Sequence, residues 1–372
     1  MVLLLNKNFY YVITMKSNKL FLLMAMLVLA VFAVGSVSAA ENVNTDIDVP
    51  TEEIEIDDSV DVTDEQEGLE SLNNNLGTTF NVDNTTDIQY IIDNNDGFTI
   101  NFASQNYDNV ALNIINKTNI VFNGNNAILK GDGINHVFNL QNVDNFTFTG
   151  FNINTNFISA DHNVSAIYGS FVTNAIINNN TFHNGANGIN INKKYDNLTV
   201  EDNIIYDMNY DGISFAHPNS NSGSVNNLGV SYISRNSITN CLYGIFIGGN
   251  FRGVIEDNNI SDCTWGIQSA GKKNGVISSI VANITGNTIS GVQTGIEFIN
   301  MTAISLNFIS NNIYTNNYMY NYTVNYGGSF SNLTNTSISF YHNILGGAIK
   351  RSLINMTYQF ENWFDGRIWE DQ

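Results

Sequence analysis

"ISRNSITNCLYGI" (233–245) and "IEDNNISDCTWGI" (255–267) share Ile, Asn, Ile, Cys and Gly-Ile at matching positions. The second copy begins at Ile255, 22 residues after Ile233. The same unit recurs elsewhere in the chain. It is an apolar residue, two polar or small residues, Asn, one further residue, then an apolar residue. It occurs as "FNGNNA" (122–127), "INNNTF" (177–182), "VEDNII" (200–205), "ITGNTI" (284–289), "ISNNIY" (309–314) and "FYHNIL" (340–345), and "FTGFNI" (148–153) fits it with Phe151 in place of Asn. The marker residues are thus Asn125, Asn180, Asn203, Asn236, Asn258, Asn287, Asn312 and Asn343. Gly then Ile usually follows eight or nine residues later, as at Gly133, Gly188, Gly212, Gly244, Gly266 and Gly295.

A period of this size built on short β-type apolar runs points to a β-solenoid. Leucine-rich repeats share the length but need a Leu-x-x-Leu-x-Leu core, which is missing. Helical repeats need longer units and strong helix formers. The expected architecture is all-β: a right-handed, single-stranded parallel β-helix. Each coil turns Ile, Val and Phe inward and Asn, Ser and Thr outward, and coils stack about 4.8 Å apart. A buried marker Asn can then bond to its counterpart one coil away, forming an amide ladder. The ladder should be weakest at Phe151, and the Gly after each marker is expected to supply a corner with φ > 0.

The same stacking places Cys241 directly beside Cys263, each five residues after its marker. In-register strands hold Cβ atoms rather far apart for a bridge. The pair is therefore expected as two buried thiols, with a disulfide as the alternative.

Upstream, "MKSNKLFLLMAMLVLAVFAVGSVSAAEN" has the basic start, apolar run and small-residue site of an export signal, so residues 1–40 read as a signal peptide. Its apolar run is shorter than the roughly 20 residues a bilayer span needs, and no second run of spanning length follows, so no transmembrane anchor is expected after cleavage. Residues 41–72 are acidic and read as a solvated linker. "TTDIQYIIDN" (85–94) spaces Ile88, Ile91 and Ile92 as a short capping helix. The β-helix is expected over 73–359, with "FENWFDGRIWE" in 360–372 as a C-terminal cap. Export would make sequons such as Asn116, Asn145 and Asn197 acceptors for glycans. A net charge of −20, from 14 basic and 34 acidic residues, excludes a nucleic-acid partner, because phosphate contacts need clustered cations.

The coil markers resemble those of the parallel β-helix repeat superfamily, the pectate-lyase-like solenoids. The whole layout, from signal and acidic spacer through "TTFNVDNTTDIQYIIDNNDGFTINFASQNYDNVALNIINKTNIVFNGNNAILKGDG" to "VDNFTFTGFNINTN", is similar to the adhesin-like surface proteins of methanogenic archaea. That resemblance implies an extracellular or cell-surface protein that binds a glycan or another surface protein without catalysis.

Catalysis on this fold needs converging carboxylates. Polygalacturonase-type Gly-His-Gly and Arg-Ile-Lys are absent, and Asn44-Thr45-Asp46 lies in the linker. One alternative acidic site is visible: Asp202, Arg235 and Asp257 precede successive markers, with Asp211 nearby. It reads either as an acidic groove for a cationic sugar or Ca²⁺, or as an exposed salt-bridge ladder. Beyond that Ca²⁺, no cofactor or metal is expected, since the His residues lack ligand spacing. His217 sits in the insert 217–227. Tyr210, Tyr243 and Trp265 occupy similar places after their markers and are the candidate binding aromatics.

Overall fold

The computed structural model describes residues 2–6, 9–12, 77–158, 163–216, 225, 228–270, 272–273, 276–299, 301–315, 326–333, 336–346, 348–353, 356–365 and 369–371. Two units are distinguished, Met1–Asp64 and Glu65–Gln372. In the first, strands Val2–Asn6 and Phe9–Val12 pair antiparallel. The acidic linker and most of the signal segment lie outside the described residues. No helix among the described residues is long and apolar enough to cross a membrane.

The second unit is a right-handed parallel β-helix. Each complete coil has three strands, and each strand pairs in parallel with its counterpart in the coils before and after. One face contains Ser165–Ser170, Asn187–Asn192, Asp211–Ala216, Tyr243–Gly248, Trp265–Ala270 and Thr294–Ile299. A second contains Val172–Asn178, Tyr195–Glu201, Ser231–Ser234, Phe251–Glu256 and Ile280–Thr285. The third holds short strands such as Thr181–His183, Ile204–Tyr206, Ser237–Thr239 and Asn259–Ser261. Alternation along each strand sends Ile189, Ile213, Ile245 and Ile267, all fully buried, into one continuous apolar column.

Corners between the second and third faces explain the marker. Asn180, Asn203, Asn236, Asn258, Asn287 and Asn311 are 0–2 % exposed and stack one above another. From Asn180 to Asn287, each Nδ2 donates to the Oδ1 of the next rung at 2.9–3.0 Å. The backbone N–H of each rung donates to the same oxygen at 3.0–3.1 Å. The second Nδ2 hydrogen of rungs 203 to 311 goes back to a carbonyl of the coil before, at 2.7–2.9 Å. Every amide from Asn180 to Asn287 thus bonds on both sides, which offsets the cost of burying it.

Three expectations are corrected here. The rung after Asn287 is Asn311, not Asn312, because Thr288 pairs with Asn312 as the first residue of the next strand. Asn125 is no rung either. Its corner is longer, with Asn125 and Asn126 both at positive φ, and Ala127 takes the ladder place below Phe151. Asn125 is exposed, and its Nδ2 donates to the Phe102 carbonyl at 3.2 Å. The side chain of Asn343 lies outside the described residues. Third, the glycines at 188, 212, 244 and 266 are absent from the positive-φ set. They are required by crowding: a Cβ on Gly212 would lie 2.6 Å from the Gly244 carbonyl oxygen and 2.6 Å from Ile238 Cγ2. Gly133 stands apart from this column, since the register opposite Ile189 runs through Ile167 to Phe138. The left-handed corner residue is instead the one before each rung: Asn179, Asp202, Arg235, Asp257, Gly286 and Ser310, with φ of 52–65°. Asn, Asp and Gly tolerate that region best, which accounts for most of this column.

At Phe151 the ladder ends. Its N–H donates to Asn180 Oδ1 at 3.0 Å, but its ring joins Phe102, Phe138 and Phe148, with centroids 4.3–5.9 Å apart. Below Asn180 an aromatic core replaces the amide column.

The helix Ile88–Asn94 starts on Asp87, whose side chain accepts from Tyr90 N. Gln89 donates to the Asn113 carbonyl and accepts from Asn113 N, both at 2.9 Å, so the helix closes the open edge of the first strand on its face. At the other end, the expected cap 360–372 instead continues the sheet. Met356–Asp365 pairs with Thr336–Gly346, placing Phe360 opposite Phe340 and Phe364 opposite Leu345, and Trp369–Asp371 pairs with Ala348–Leu353.

Candidate functional site

The alternative acidic set does not converge. Asp202, Arg235 and Asp257 lie at the corner between the second and third faces, whereas Asp211 begins a strand of the first face. Arg235 Nε and Nη2 each reach Asp202 at 2.9 Å, and Nη2 reaches Glu201 Oε2 at 2.6 Å. Both partners belong to the coil before. Asp257, in the coil after, makes no ion pair with Arg235 among the described residues. The guanidinium side chain is 47 % exposed, so the fork contributes about 0–1 kcal/mol. Besides pairing, it holds a left-handed Arg in place.

Asp211 belongs to a different constellation. In register it is opposite Tyr243, which is opposite Trp265. Tyr210 is one position earlier and 40 % exposed. One extra residue between Met208 and Asp211 shifts the strand, so counting from Asn203 lands on Tyr210 while the register selects Asp211. Counting back from Gly212, Gly244 and Gly266 would have found the true column. The Tyr243 and Trp265 rings stack at 4.8 Å and 23°. Beside this column runs a second outward row: Tyr168, Asn190, Ser214, Phe246, Gln268 and Glu297.

Together the two rows set aromatic rings at either end of a short polar stretch, a notch in the run of large side chains whose Ser214 is only 3 % exposed. Tyr168, backed by His136 at 4.3 Å and 5°, stands at one end. Tyr243 and Phe246, 5.5 Å apart, stand at the other. Between the walls lie two coils with small polar residues: Asn190, Ser214 and Asp211. The Tyr168 and Phe246 positions are three coil steps apart, about 14 Å. Asn187 braces the floor, since its Oδ1 accepts from Asp211 N at 3.2 Å and its Nδ2 donates to Asn163 Oδ1 at 2.6 Å. Asn190 is 8 % exposed, and its Oδ1 has no hydrogen-bond partner among the described residues. Such an oxygen costs roughly 1–3 kcal/mol unless something donates to it.

Burial pushes the Asp211 carboxyl up to about 6, against the opposing hydrogen bond from Ser214. Burial, then Asp211, then Glu297 raise Tyr243. In the unfolded chain Asp211 titrates near 3.8. The folded state therefore keeps a proton that the unfolded chain releases between these values. Stability from this group is gained as pH falls from about 6 toward 4 and is absent above 6. Asp211→Asn is expected to raise the unfolding midpoint at neutral pH and to flatten that pH dependence, as read by thermal unfolding across pH 4 to 8.

Cys241 and Cys263 are both free and buried, and each Sγ donates to the carbonyl two residues earlier, at 3.4 and 3.3 Å. The neighbouring Cys263 sulfur and burial push the Cys241 thiol up. A corner pocket of about 410 Å³ is lined chiefly by amides, including Asn154, Asn156, Asn184 and Asn240, with Asp207. No group of three or more His, Cys, Asp or Glu side chains suited to a metal ion is present among the described residues. His217 lies outside them.

No protein-family model matches the chain, and no curated protein sequence matches it. Among solved structures, the A-module of the mannuronan C-5 epimerase AlgE4 from Azotobacter vinelandii is similar, with TM-score 0.44 and 12 % identity, covering 77 % of this chain and 92 % of that one. The AlgE6 A-module from the same organism gives 0.45 and 11 %, covering 76 % and 94 %. A tailspike protein mutant of the E. coli bacteriophage HK620 gives 0.42 and 10 %, covering 80 % and 59 %.

Proposed function

We propose that the chain is a glycan-binding β-helix of the cell surface, adhesin-like and non-catalytic, with a sugar held in the notch between Tyr168 and Tyr243. The observation that supports this reading is the pair of aromatic walls around a floor of amide, hydroxyl and carboxyl groups. Sugar rings present apolar C–H faces to aromatic side chains while their hydroxyls bond polar groups between them. Export and surface placement rest on the N-terminal sequence.

An enzymatic reading is weaker for a geometric reason. Inverting glycoside hydrolysis uses two carboxyls roughly 6.5–9.5 Å apart. Along the strands of this face the partner to Asp211 is Glu297, three coil steps away, about 14 Å. Glu297 is also engaged by the Gln268 side-chain amide.

The test is a glycan array probed with the full chain, followed by titration of the best sugar. Tyr243→Ala is expected to weaken binding at least tenfold, as truncating an aromatic anchor does. Unchanged affinity in that variant, or release of reducing or unsaturated ends from a polysaccharide, would overturn the reading.

A further inference from the structure

We infer that the notch selects a sugar carrying a free amino group, a proposal that rests on the glycan-binding reading above. Three observations converge on it. First, the strands lining this face, Asn187–Asn192, Asp211–Ala216, Tyr243–Gly248, Trp265–Ala270 and Thr294–Ile299, contain Asp211 and Glu297 and no Lys, Arg or His. The nearest described cation along the Asn190 strand, Lys193, is turned to the Phe171 ring, with Nζ 5.7 Å from its centroid.

Second, Tyr243 uses one ring face against Trp265, which leaves the opposite face toward the Asp211 coil. An ammonium resting there meets the negative π face and a carboxyl at once. Third, Asn190 Oδ1 is buried without a donor among the described residues, one coil from Ser214 in the same row. An amide oxygen only accepts hydrogen bonds, and so does an ionised carboxylate. Asn190 Nδ2 and the Ser214 hydroxyl also donate, the latter to Asp211, so the acceptors left over are Asn190 Oδ1 and the ionised Asp211 carboxylate, and these suit a group that only donates. An ammonium carries three N–H donors and no acceptor. An acetamido group brings one N–H together with a carbonyl, and a uronate brings a negative charge to a negative floor. The protein's charge of −20 adds long-range repulsion of polyanions and attraction of cationic chains.

The experiment is calorimetric titration of the full chain, at about pH 6.5, with four hexasaccharide probes: β-1,4-linked glucosamine, N-acetylglucosamine, glucose and a uronic acid. At that pH both the amino sugar and Asp211 are substantially charged. The expected result is glucosamine binding at least about tenfold tighter than the acetylated and neutral chains, with the uronate undetected. The preference should shrink as salt rises. Asp211→Asn should bring the affinity for glucosamine down to that of the neutral chain, and circular dichroism of that variant checks the fold. Equal affinity for glucosamine and glucose would overturn this inference and leave the glycan-binding reading standing. Absence of binding to every probe and to the glycan array would overturn both.

Discussion

Asn258→Ala is expected to destabilise the β-helix by about 4 kcal/mol. Removing this side chain strips four hydrogen bonds. Its Oδ1 accepts from the backbone and side-chain N–H of Asn236 at 3.0 Å each, and its Nδ2 donates to the Ile233 carbonyl at 2.8 Å and to Asn287 Oδ1 at 2.9 Å. All four partners stay buried and lose a bond. Isosteric Asn258→Asp should fail as badly, because a carboxylate accepts from Asn236 but cannot donate onward. Urea unfolding monitored by circular dichroism measures the loss. Hydrogen exchange should localise the first opening to coils 233–290, since a stacked repeat contacts only its neighbours. Asn125→Ala is the control: that side chain is exposed and outside the column, so a loss below about 1 kcal/mol is expected. Equal losses at 125 and 258 would remove the ladder as a source of stability.

Gly244→Ala should do comparable damage through crowding. An added methyl would lie 2.6 Å from the Gly266 carbonyl oxygen and 2.5 Å from Ile260 Cγ2. Neither neighbour can retreat: the carbonyl belongs to the next coil and Ile260 is fully buried. Overpacking of this kind costs about 1–3 kcal/mol when only side chains yield, and more when backbone must move. The expected outcome is a fall of at least about 3 kcal/mol in unfolding free energy, or loss of soluble protein. A variant with wild-type unfolding would show that adjacent coils can spread at this corner.

Much of this architecture was legible because stacking forces repetition. A residue that bonds to its own copy must recur once per coil, and Asn236 and Asn258 announce that directly. What the sequence hid was the length of each corner. Two extra residues at Asn125 and Asn126 moved the ladder place to Ala127, where nothing marks it. "SNN" at 310–312 offers two Asn, and only strand pairing selects Asn311. The Gly-Ile pair was a true register mark, but its cause lay in the neighbouring coil: a carbonyl that leaves no room for a Cβ. Conformational reasoning within one corner could not reveal that.

The candidate site was less legible for the same reason. Tyr243 and Trp265 stood out as aromatics, and Asp211 as an acid, yet nothing local says that they share a column. One inserted residue before Asp211 disguised the match. Asn190 had no signal at all, since its importance lies in lacking a partner, which only three-dimensional neighbours define.

The change of mortar at Phe151 has a mechanical consequence. A chain pulled from its N-terminal side would shed coils one after another, and the early ones cohere through slippery ring-to-ring contacts that yield gradually. At Asn180 the peeling front meets six amides bonded in series, those from Asn180 to Asn287 gripping the coils on both sides. Resistance should step up there, so that a tethered molecule under shear frays to that point and then holds, giving up Tyr168 with the coil that peels and keeping the later coils that carry Asp211 and Tyr243 intact.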